Sequence, residues 1–583
     1  MSSISSRDHL IRVANGKEPA ELVLRNARVF LGFDGKFCQG DLAIADGHIA
    51  GFGHYHGHQE IDLNGKYITP GFIDAHVHIE STMLTPAGFA QALLPQGITT
   101  VIADPHEIAN VAGTAGIQYM LDASENLPMN IHFMMPSCVP ASPLDDSGAI
   151  LTAKDLQPFM EHPRVLGLAE VMDVPDVLNG NAAMRDKLDL TGPQHRTDGH
   201  APGLMGKALM AYAAAGIQSD HECVTPEEAK ARLQAGMYLL IREGSAAKNL
   251  KALLPVINER NSQFCCFCTD DRHPADLIQE GSINAMVRMA VAAGIPVWQA
   301  IQMASLNTAR YFGLEDTGVI APGRRADLLV FDDLTNWHPT QVYSAGQLVA
   351  QQGQLTIELA ASVQPPAPLC HSVHLAPVCR EDLAIPLTAP TANVIGLIPQ
   401  QLLTHWQKRA VPIRNGQAVA APEQDILKLA VFERHHGTGR HGTALVSGFG
   451  LKAGAIAQTI GHDSHNLIVI GASDRDMLIA IEALRQCNGG VAIAVDGQLL
   501  SHQPLPVAGL MTNEPMDHVA AQIDRMYEQA CELGVKHDFD PFITLAFLSL
   551  PVIPELKLTD QGLIDTMHAA IISCQADQLP ERS

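Results

Sequence analysis

Histidines and carboxylates recur at the ends of short apolar runs in this chain. His76 and His78 lie two residues apart at the end of the run PGFIDAHVH. A period of two places both side chains on one face of a strand, where two ring nitrogens can bind the same metal ion. A single histidine of this kind is more often structural, but nitrogen and oxygen donors at five separate strand ends favour a divalent cation site. The further candidates are Glu170 in GLAEV, His200 in DGHAPG, His221 in SDHE, and Asp270 and Asp271 in CTDD.

Eight apolar runs alternate with helical patterns between residues 70 and 313. A Thr-Pro start signal, for example, opens the helical stretch TPEEAKARLQAG. This alternation predicts a closed, TIM-like (β/α)8 barrel, in which the chemistry lies at the carboxyl ends of the strands. The runs cover residues 71–78, 97–105, 130–137, 165–173, 196–200, 216–223, 237–244 and 264–271.

The segments on either side of the barrel have the alternation of β-strands. Turn signals FDGK and ADGH break up the first segment, and TGVIAPGRRADLLVFDDL returns to the same pattern after the barrel. We therefore predict a small β-sandwich made of residues 1–69 and 314–362, with the barrel, residues 70–313, inserted into it. A Pro-rich linker is expected at 363–390, followed by a C-terminal α/β or α+β domain at 391–583.

The composition is that of a folded, acidic, globular protein. Hydrophobic residues make up 46% and charged residues 17%, and 38 basic against 62 acidic residues give a net charge of −24. This charge disfavours nucleic acid or an anionic membrane as the main partner. No apolar run reaches the ~20 residues of a membrane span, and the N-terminus lacks a signal-peptide segment, so we predict a cytoplasmic protein. Eleven scattered cysteines are expected to be free thiols, with FCCFC in a buried strand.

The motifs at the strand ends resemble those of the amidohydrolase superfamily. More narrowly, PGFIDAHVHIEST, ADPHEIANV, CTDDRHP, ERHHGTGR and GHDSHN resemble the bacterial adenine deaminase family over nearly the whole chain. The resemblance implies hydrolytic deamination of adenine to hypoxanthine and ammonia, with water as the second substrate, in purine salvage.

The same resemblance implies a binuclear metal site. Glu170 would bridge two ions, in place of the carboxylated lysine that many relatives use, which argues against the cyclic-amidase branch. Manganese is the implied metal, with iron and zinc left open. Asp270 would accept a proton from water and pass it to the departing ammonia. One ion would be held by His76, His78 and Asp270, and the other by His200 and His221.

Several polar neighbours of these ligands are candidates for contact with the substrate. We predict Glu243 as the second catalytic group, although a salt bridge with Arg242 explains it equally well. The donor to N1 of adenine stays open among Glu243, Glu222, Glu80 and Ser81. Glu222 and Glu80 could instead orient a metal-binding histidine. Adjacent residues of a strand face opposite ways, so only one carboxylate of TDD points inward, and Asp270 is favoured. Substrate contacts are predicted for Glu80, His106, Glu107, Asp271 and His273.

A histidine cluster in the C-terminal domain has several open interpretations. It could reach over the barrel mouth, form a subunit contact, bind a further metal or lie in a solvated loop. The cluster consists of His435, His436, His441, His462 and His465.

Two other classes of function are weighed against the deaminase. The first is another hydrolase of the superfamily, such as an N-acetyl-sugar deacetylase or a cyclic amidase. The second is a non-catalytic scaffold on the same fold, which has no reason to retain a complete ligand set. We expect a homo-oligomer, a dimer, with no nucleic acid or membrane partner.

Overall fold

Eight parallel strands form the central barrel in a computed structural model that describes residues 3–359, 362–399 and 401–576. They lie in two hydrogen-bonded arcs of five and three strands, and their spatial order follows the sequence. Every predicted run contains one of them, so the predicted barrel is confirmed. The strands are Phe72–Val77, Ile98–Ala103, Asn130–Met135, Val165–Val171 and Arg196–Gly199 in the first arc, and Ser219–Asp220, Tyr238–Arg242 and Cys265–Cys268 in the second.

Backbone hydrogen bonds join the two arcs at both seams. The amide of Asp270 donates to the carbonyl of His76 at 3.0 Å, and the amide of Gln218 donates to Thr197 at 2.9 Å. The first seam places the end of the eighth strand beside the end of the first, where the sequence puts its histidine pair and its paired aspartates. The FCCFC cysteines are buried and free, as predicted.

Helices surround the barrel and connect its strands. The helix Pro226–Gln234 begins as its sequence predicts, since Thr225 and Glu228 form a reciprocal capping box that satisfies amides of the first turn. The others are Pro86–Leu93, His106–Ala123, Ala153–Leu156, Val174–Asn179, Ala182–Leu188, Gly206–Ala214, Leu250–Leu253, Pro274–Gln279, Ile283–Ala292, Val297–Met303 and Leu306–Phe312.

A nine-stranded sheet combines segments from before and after the barrel. Leu328–Phe331 pairs antiparallel with Tyr67–Pro70, so the chain returns to the sheet it left. Hydrogen bonds link the nine strands into one sheet. Ile49 and Tyr343 belong to strands that are far apart in the order of the sheet, yet both lie in one apolar cluster. The sheet therefore folds over on itself and encloses a core, as a sandwich does. The helix Ser3–Ala14 precedes it, and the remaining strands are Ala20–Leu31, Lys36–Ala45, His48–Gly53, Gly57–Asp62, Gln341–Ser344, Gln347–Gln351 and Gln354–Leu355.

The C-terminal region is built on a mixed eight-stranded sheet. In spatial order its strands are Thr404–Ala410, Thr391–Leu397, His441–Ser447, Ile426–Phe432, Leu467–Gly471, Ala455–Gln458, Gly490–Val495 and Gln498–Pro504. Its longer helices are Asp474–Gln486 and Met516–Glu532. Smaller elements are the helices Ala367–Cys370 and Pro541–Ala546, the pair Ile413–Arg414 and Gln417–Ala418, and the triplet Leu556–Thr559, Gly562–Asp565 and Ala570–Ile572.

This region packs directly against the barrel. The amide of Thr512 donates to Met83 at 2.8 Å, and the hydroxyl of Thr85 donates to Asn513 at 2.8 Å. One continuous apolar cluster contains residues of both regions. Among the described residues no helix is both long and apolar enough to cross a membrane. The domain boundaries given above stay predictions.

Candidate metal centre

The histidine pair at the end of the first barrel strand is almost completely buried. His76 and His78 are 1% and 2% exposed, and their Nε2 atoms lie 3.1 Å apart. Nδ1 of His78 lies 3.1 Å from the carbonyl of Asp104, which makes Nδ1 the protonated nitrogen and leaves the Nε2 lone pair free. Two imidazole nitrogens at this separation need a proton or a cation between them, so the pair is arranged as metal ligands are.

Glu170, at the end of the fourth strand, lies between two groups of imidazoles. Its Oε1 is 3.4 Å from Nε2 of His78 and 3.4 Å from Nδ1 of His106. Its Oε2 is 2.7 Å from Nδ1 of His200 and 3.3 Å from Nε2 of His221. The two oxygens of one carboxylate therefore face two separate sets of nitrogen donors, which is the geometry of a bridging ligand.

The structure brings Asp270, and not Asp271, to the histidine pair. Oδ1 of Asp270 lies 3.1 Å from Nε2 of His78 and 3.6 Å from Nε2 of His76. Asp271 instead accepts a hydrogen bond from the Ser81 hydroxyl at 2.5 Å, although it also lines the cavity above the cluster. Asp270 has a positive φ of 59°, which turns the chain sharply after the eighth strand.

The electrostatics of the cluster are those of mutually compensating buried charges. Burial opposes protonation of His78, yet its neighbours Asp270 and Glu170 raise the pKa of this imidazole well above its ordinary value. Burial also opposes ionisation of Glu170, yet His200 and His221 hold the pKa of that carboxyl well below its usual range. The negative charge of these buried carboxylates must be compensated by positive charge. Either protons on the imidazoles or a divalent cation can supply it.

The donor set fits two divalent cations. Ligand atoms about 2.1 Å from a cation lie about 3 Å apart when they are adjacent, close to the separations found here. Burial excludes competing water, and the donors are imidazole nitrogens and carboxylate oxygens, which suit zinc, manganese, iron or cobalt. Several groups of donor atoms in this cluster lie close enough together for a single ion. They include His78, Asp104, His106 and Glu170; His76, His78 and Asp270; His76, Glu170 and His221; and His200, His221 and Glu222.

Three residues predicted to act in the site are directed elsewhere. Glu243 accepts a hydrogen bond from the amide of Leu250 at 3.0 Å and does not line the cavity. Nδ1 of His273 lies 3.5 Å from Asp540, also outside the cavity lining. Glu80 accepts from the amide of Ile108 at 3.2 Å, and burial raises the pKa of its carboxyl to about 7. All three residues lie beyond the last residue of their barrel strands, where strand alternation no longer predicts the direction of a side chain.

His106 and Glu107 begin the helix that follows the second strand, and both side chains reach the site. His106 contacts Asp104 at 3.0 Å in addition to Glu170. Glu107 turns the other way: its Oε1 lies 3.0 Å from Nδ1 of His462, and its Oε2 pairs with Nε2 of His465. Residues of the C-terminal region therefore close over the barrel mouth.

The remaining histidines of the C-terminal cluster contact backbone carbonyls and do not line the cavity. Nε2 of His435 lies 2.7 Å from the Ser464 carbonyl, and His441 contacts the carbonyl of Gly439. Nε2 of His436 lies 3.1 Å from the carbonyl of Ser147, between the two regions. Of the interpretations left open above, closure over the barrel mouth applies to His462 and His465.

A cavity lies above the cluster. Strand-end residues of the cluster line its floor, and they are His78, Glu170, His200, His221 and Asp270. Two charged residues of its wall, Arg242 and Asp463, were not predicted from the sequence as site residues. The C-terminal region contributes Leu402, His462, Asp463, Phe547, Leu550 and Ile553.

A parallel barrel whose strand ends carry a His-x-His pair, a carboxylate between two sets of imidazoles, two further histidines and an aspartate defines a hydrolase of the amidohydrolase type. The model of the amidohydrolase family matches residues 67–356, and that of the adenine deaminase C-terminal domain matches residues 401–570. The chain is 52% identical to "Adenine deaminase 2" of Carboxydothermus hydrogenoformans, over 97% of this chain and 98% of that protein. It is 48% identical to "Adenine deaminase" of Geobacillus kaustophilus, over 98% of this chain and 100% of that protein. The chain belongs to the adenine deaminase family.

Proposed function

We propose that this chain hydrolyses adenine to hypoxanthine and ammonia at the barrel mouth. Family membership over nearly the full length supports the reaction. The position of Glu170, with one oxygen toward each set of imidazoles, is the observation that carries the binuclear mechanism. The ligands of this proposal are His76, His78, Glu170, His200, His221 and Asp270, with His106 as an added donor beside Glu170.

These residues would hold two divalent cations, which would lower the pKa of water and make a nucleophile available at neutral pH. Asp270 accepts the water proton, because its Oδ1 faces the metal-binding pair while Arg242 holds its other oxygen. The nucleophile adds to C6 of adenine, and Asp270 then passes its proton to the 6-amino group, which leaves as ammonia. One water is consumed, and hypoxanthine and one ammonia are formed.

Manganese is proposed as the working metal, since a donor set without thiolate accommodates it and the family resemblance favours it. Nothing in the donor set excludes iron or zinc. Protein stripped of metal and reconstituted separately with Mn²⁺, Fe²⁺ and Zn²⁺ tests this choice through the rate of adenine deamination. Equal rates with all three ions would contradict a preference for manganese. The dimer stays a prediction, which light scattering on the purified chain tests.

The test of the reaction is ammonia release from adenine, adenosine, cytosine and a cyclic amide. His78→Ala should abolish turnover of adenine, whereas His54→Ala, a substitution at an exposed histidine of the N-terminal sheet, should leave it unchanged. Turnover of the cyclic amide and not of adenine would refute the proposed reaction. Full activity of His78→Ala would refute the ligand assignment while leaving the reaction intact.

A further inference from the structure

Several contacts hold a loop of the C-terminal region, residues 461–466, against the barrel, and Glu107 makes two of them. Both oxygens of Glu107 are used, one by His462 and the other by His465. The amide of Gly461 donates to Nδ1 of His465 at 3.3 Å, so Nε2 of His465 carries the proton that Glu107 accepts. This set of contacts holds the loop in one position over the cavity before any substrate arrives.

Asp463 is the residue that this loop directs into the cavity. Its side chain lines the cavity and is 4% exposed. Its Oδ2 has no hydrogen-bond partner among the described residues, and its Oδ1 is 3.9 Å from Nε2 of His106. A buried carboxylate oxygen without a donor is unfavourable by about 1–3 kcal/mol or more. A ligand that brings an N–H group to this atom satisfies it.

The wall around Asp463 restricts the shape of that ligand. The C-terminal region lines the cavity with the apolar side chains Leu402, Phe547, Leu550 and Ile553. The ring of His462 stacks on Phe547 with centroids 4.3 Å apart and planes inclined by 19°. The C-terminal side of the cavity thus combines apolar side chains with one carboxylate, Asp463, and suits a heteroaromatic ring that has an N–H on its edge.

We propose that Asp463 accepts a hydrogen bond from the imidazole N–H of the purine and thereby selects the free base over purines substituted at that nitrogen. This inference rests on the proposed adenine deamination. Free adenine carries one ring N–H, on N9 or on N7. A substituent there removes the donor and leaves Oδ2 of Asp463 unpaired beside an apolar wall. Sites built to bind an N–H reject analogues that lack it far more strongly than apolar pockets reject a small change in size.

The test compares adenine with 9-methyladenine and 7-methyladenine as substrates of the metal-loaded enzyme. Neither methylated purine carries a ring N–H, so the wild type should favour adenine over both by roughly 10²-fold or more in kcat/KM. In Asp463→Ala the rate with adenine should fall toward the rates with the methylated purines, so the preference should shrink to less than about tenfold.

Asp145→Ala is the matched control. Asp145 is also a buried carboxylate with an unpaired oxygen, and it contacts Ser464 of the same loop, but it does not line the cavity. It should keep the wild-type preference. Metal content measured on both variants detects the alternative that Asp463 is a metal ligand.

Three outcomes would overturn the inference. In the first, the wild type deaminates adenine and both methylated purines with kcat/KM values within about fivefold of one another. In the second, Asp463→Ala keeps the wild-type preference. In the third, that variant loses bound metal without a change in preference. The wild-type comparison stands even if the variant fails to fold. A wild type that releases no ammonia from adenine refutes the proposed function itself, which distinguishes the two failures.

Discussion

Arg242 donates a hydrogen bond from Nη1 to Oδ2 of Asp270 at 2.8 Å, at the edge of the metal cluster. The same guanidinium pairs with both oxygens of Glu222, its Nη2 lying 2.9 Å from Oε2. Burial raises the pKa of the Asp270 carboxyl, but Arg242 and the neighbouring imidazoles hold it well below its usual range. Arg242 is therefore a positioning residue, which keeps Asp270 ionised and turns its Oδ1 toward the histidine pair.

Arg242→Gln should lower kcat/KM for adenine by roughly 10²-fold, because a hydrogen bond to a charged group contributes about 1.5–3 kcal/mol. The acidic limb of the pH–rate profile should also move to higher pH, since Asp270 loses the cation that favours its ionised form. Arg242→Lys should recover part of both effects. Arg272→Gln is the control, because Arg272 is equally buried but donates to the carbonyl of Glu243 outside the cavity. An unchanged pH profile in Arg242→Gln would contradict this role.

Asp270 and Asp271 are adjacent, and their separate substitution tests which carboxylate serves the metal centre. Asp270→Asn should reduce kcat by about 10³-fold or more, because it removes both a proposed ligand and the proposed proton acceptor. Asp271→Asn should cost about tenfold or less, since that carboxylate accepts from Ser81 at the cavity wall. Metal analysis should show a loss in the first variant only. The reverse order of activities would contradict the assignment.

Glu243→Gln should retain adenine deamination within about threefold of the wild type. The carboxylate accepts a hydrogen bond from the Leu250 amide, and the amide oxygen of glutamine can accept the same bond. Steady-state kinetics with adenine at pH 7 measure this. A loss of kcat by 10²-fold with an intact thermal midpoint would instead support the catalytic role that the sequence pattern predicts for this residue.

The sequence located the barrel and its ligand-bearing strand ends, because apolar periodicity and strand alternation are local properties. His76, His78 and Glu170 are recognisable since each ends a strand and parallel strands present their carboxyl ends on one face. Glu243 and Arg242 show the limit of this reasoning. Arg242 is the last residue of the seventh strand and Glu243 follows it, so the two side chains point in different directions. Their order in the sequence does not say which of them faces the cavity.

The contribution of the C-terminal region could not be predicted from sequence spacing. Glu107 and His462 are more than three hundred residues apart, and no periodic pattern relates them. GHDSHN could be recognised as a family motif, but its position over the barrel depends on packing between two regions. Asp463 was missed for the same reason, since its significance lies in the cavity it faces and in the absence of a partner for its Oδ2 among the described residues.

Lys557 is a buried lysine that supports the cavity wall from behind. Its Nζ donates to the carbonyls of Leu402 at 2.7 Å and Phe547 at 2.9 Å, and both of these residues line the cavity. Burial lowers the pKa of this ammonium to about 7. The folded chain therefore releases the proton near pH 7, whereas the unfolded chain keeps it to about pH 10.4. Between about pH 7 and about pH 10.4 the unfolded state binds more protons than the folded state. This lysine therefore makes the free energy of unfolding rise with pH, by at most about 1.4 kcal/mol per pH unit.

Lys557→Met should remove that contribution. The thermal midpoint of the wild type should rise relative to that of the variant as the pH is raised from 7 to 9.5. Calorimetry at one scan rate measures both midpoints. Lys251→Met, at an exposed lysine, is the control and should differ from the wild type by a constant amount over this range. A constant difference for Lys557→Met as well would show that Lys557 keeps its proton in the folded chain, held by the two carbonyls. The variant also leaves those carbonyls without their donor, so its midpoint is compared across pH and not at a single value.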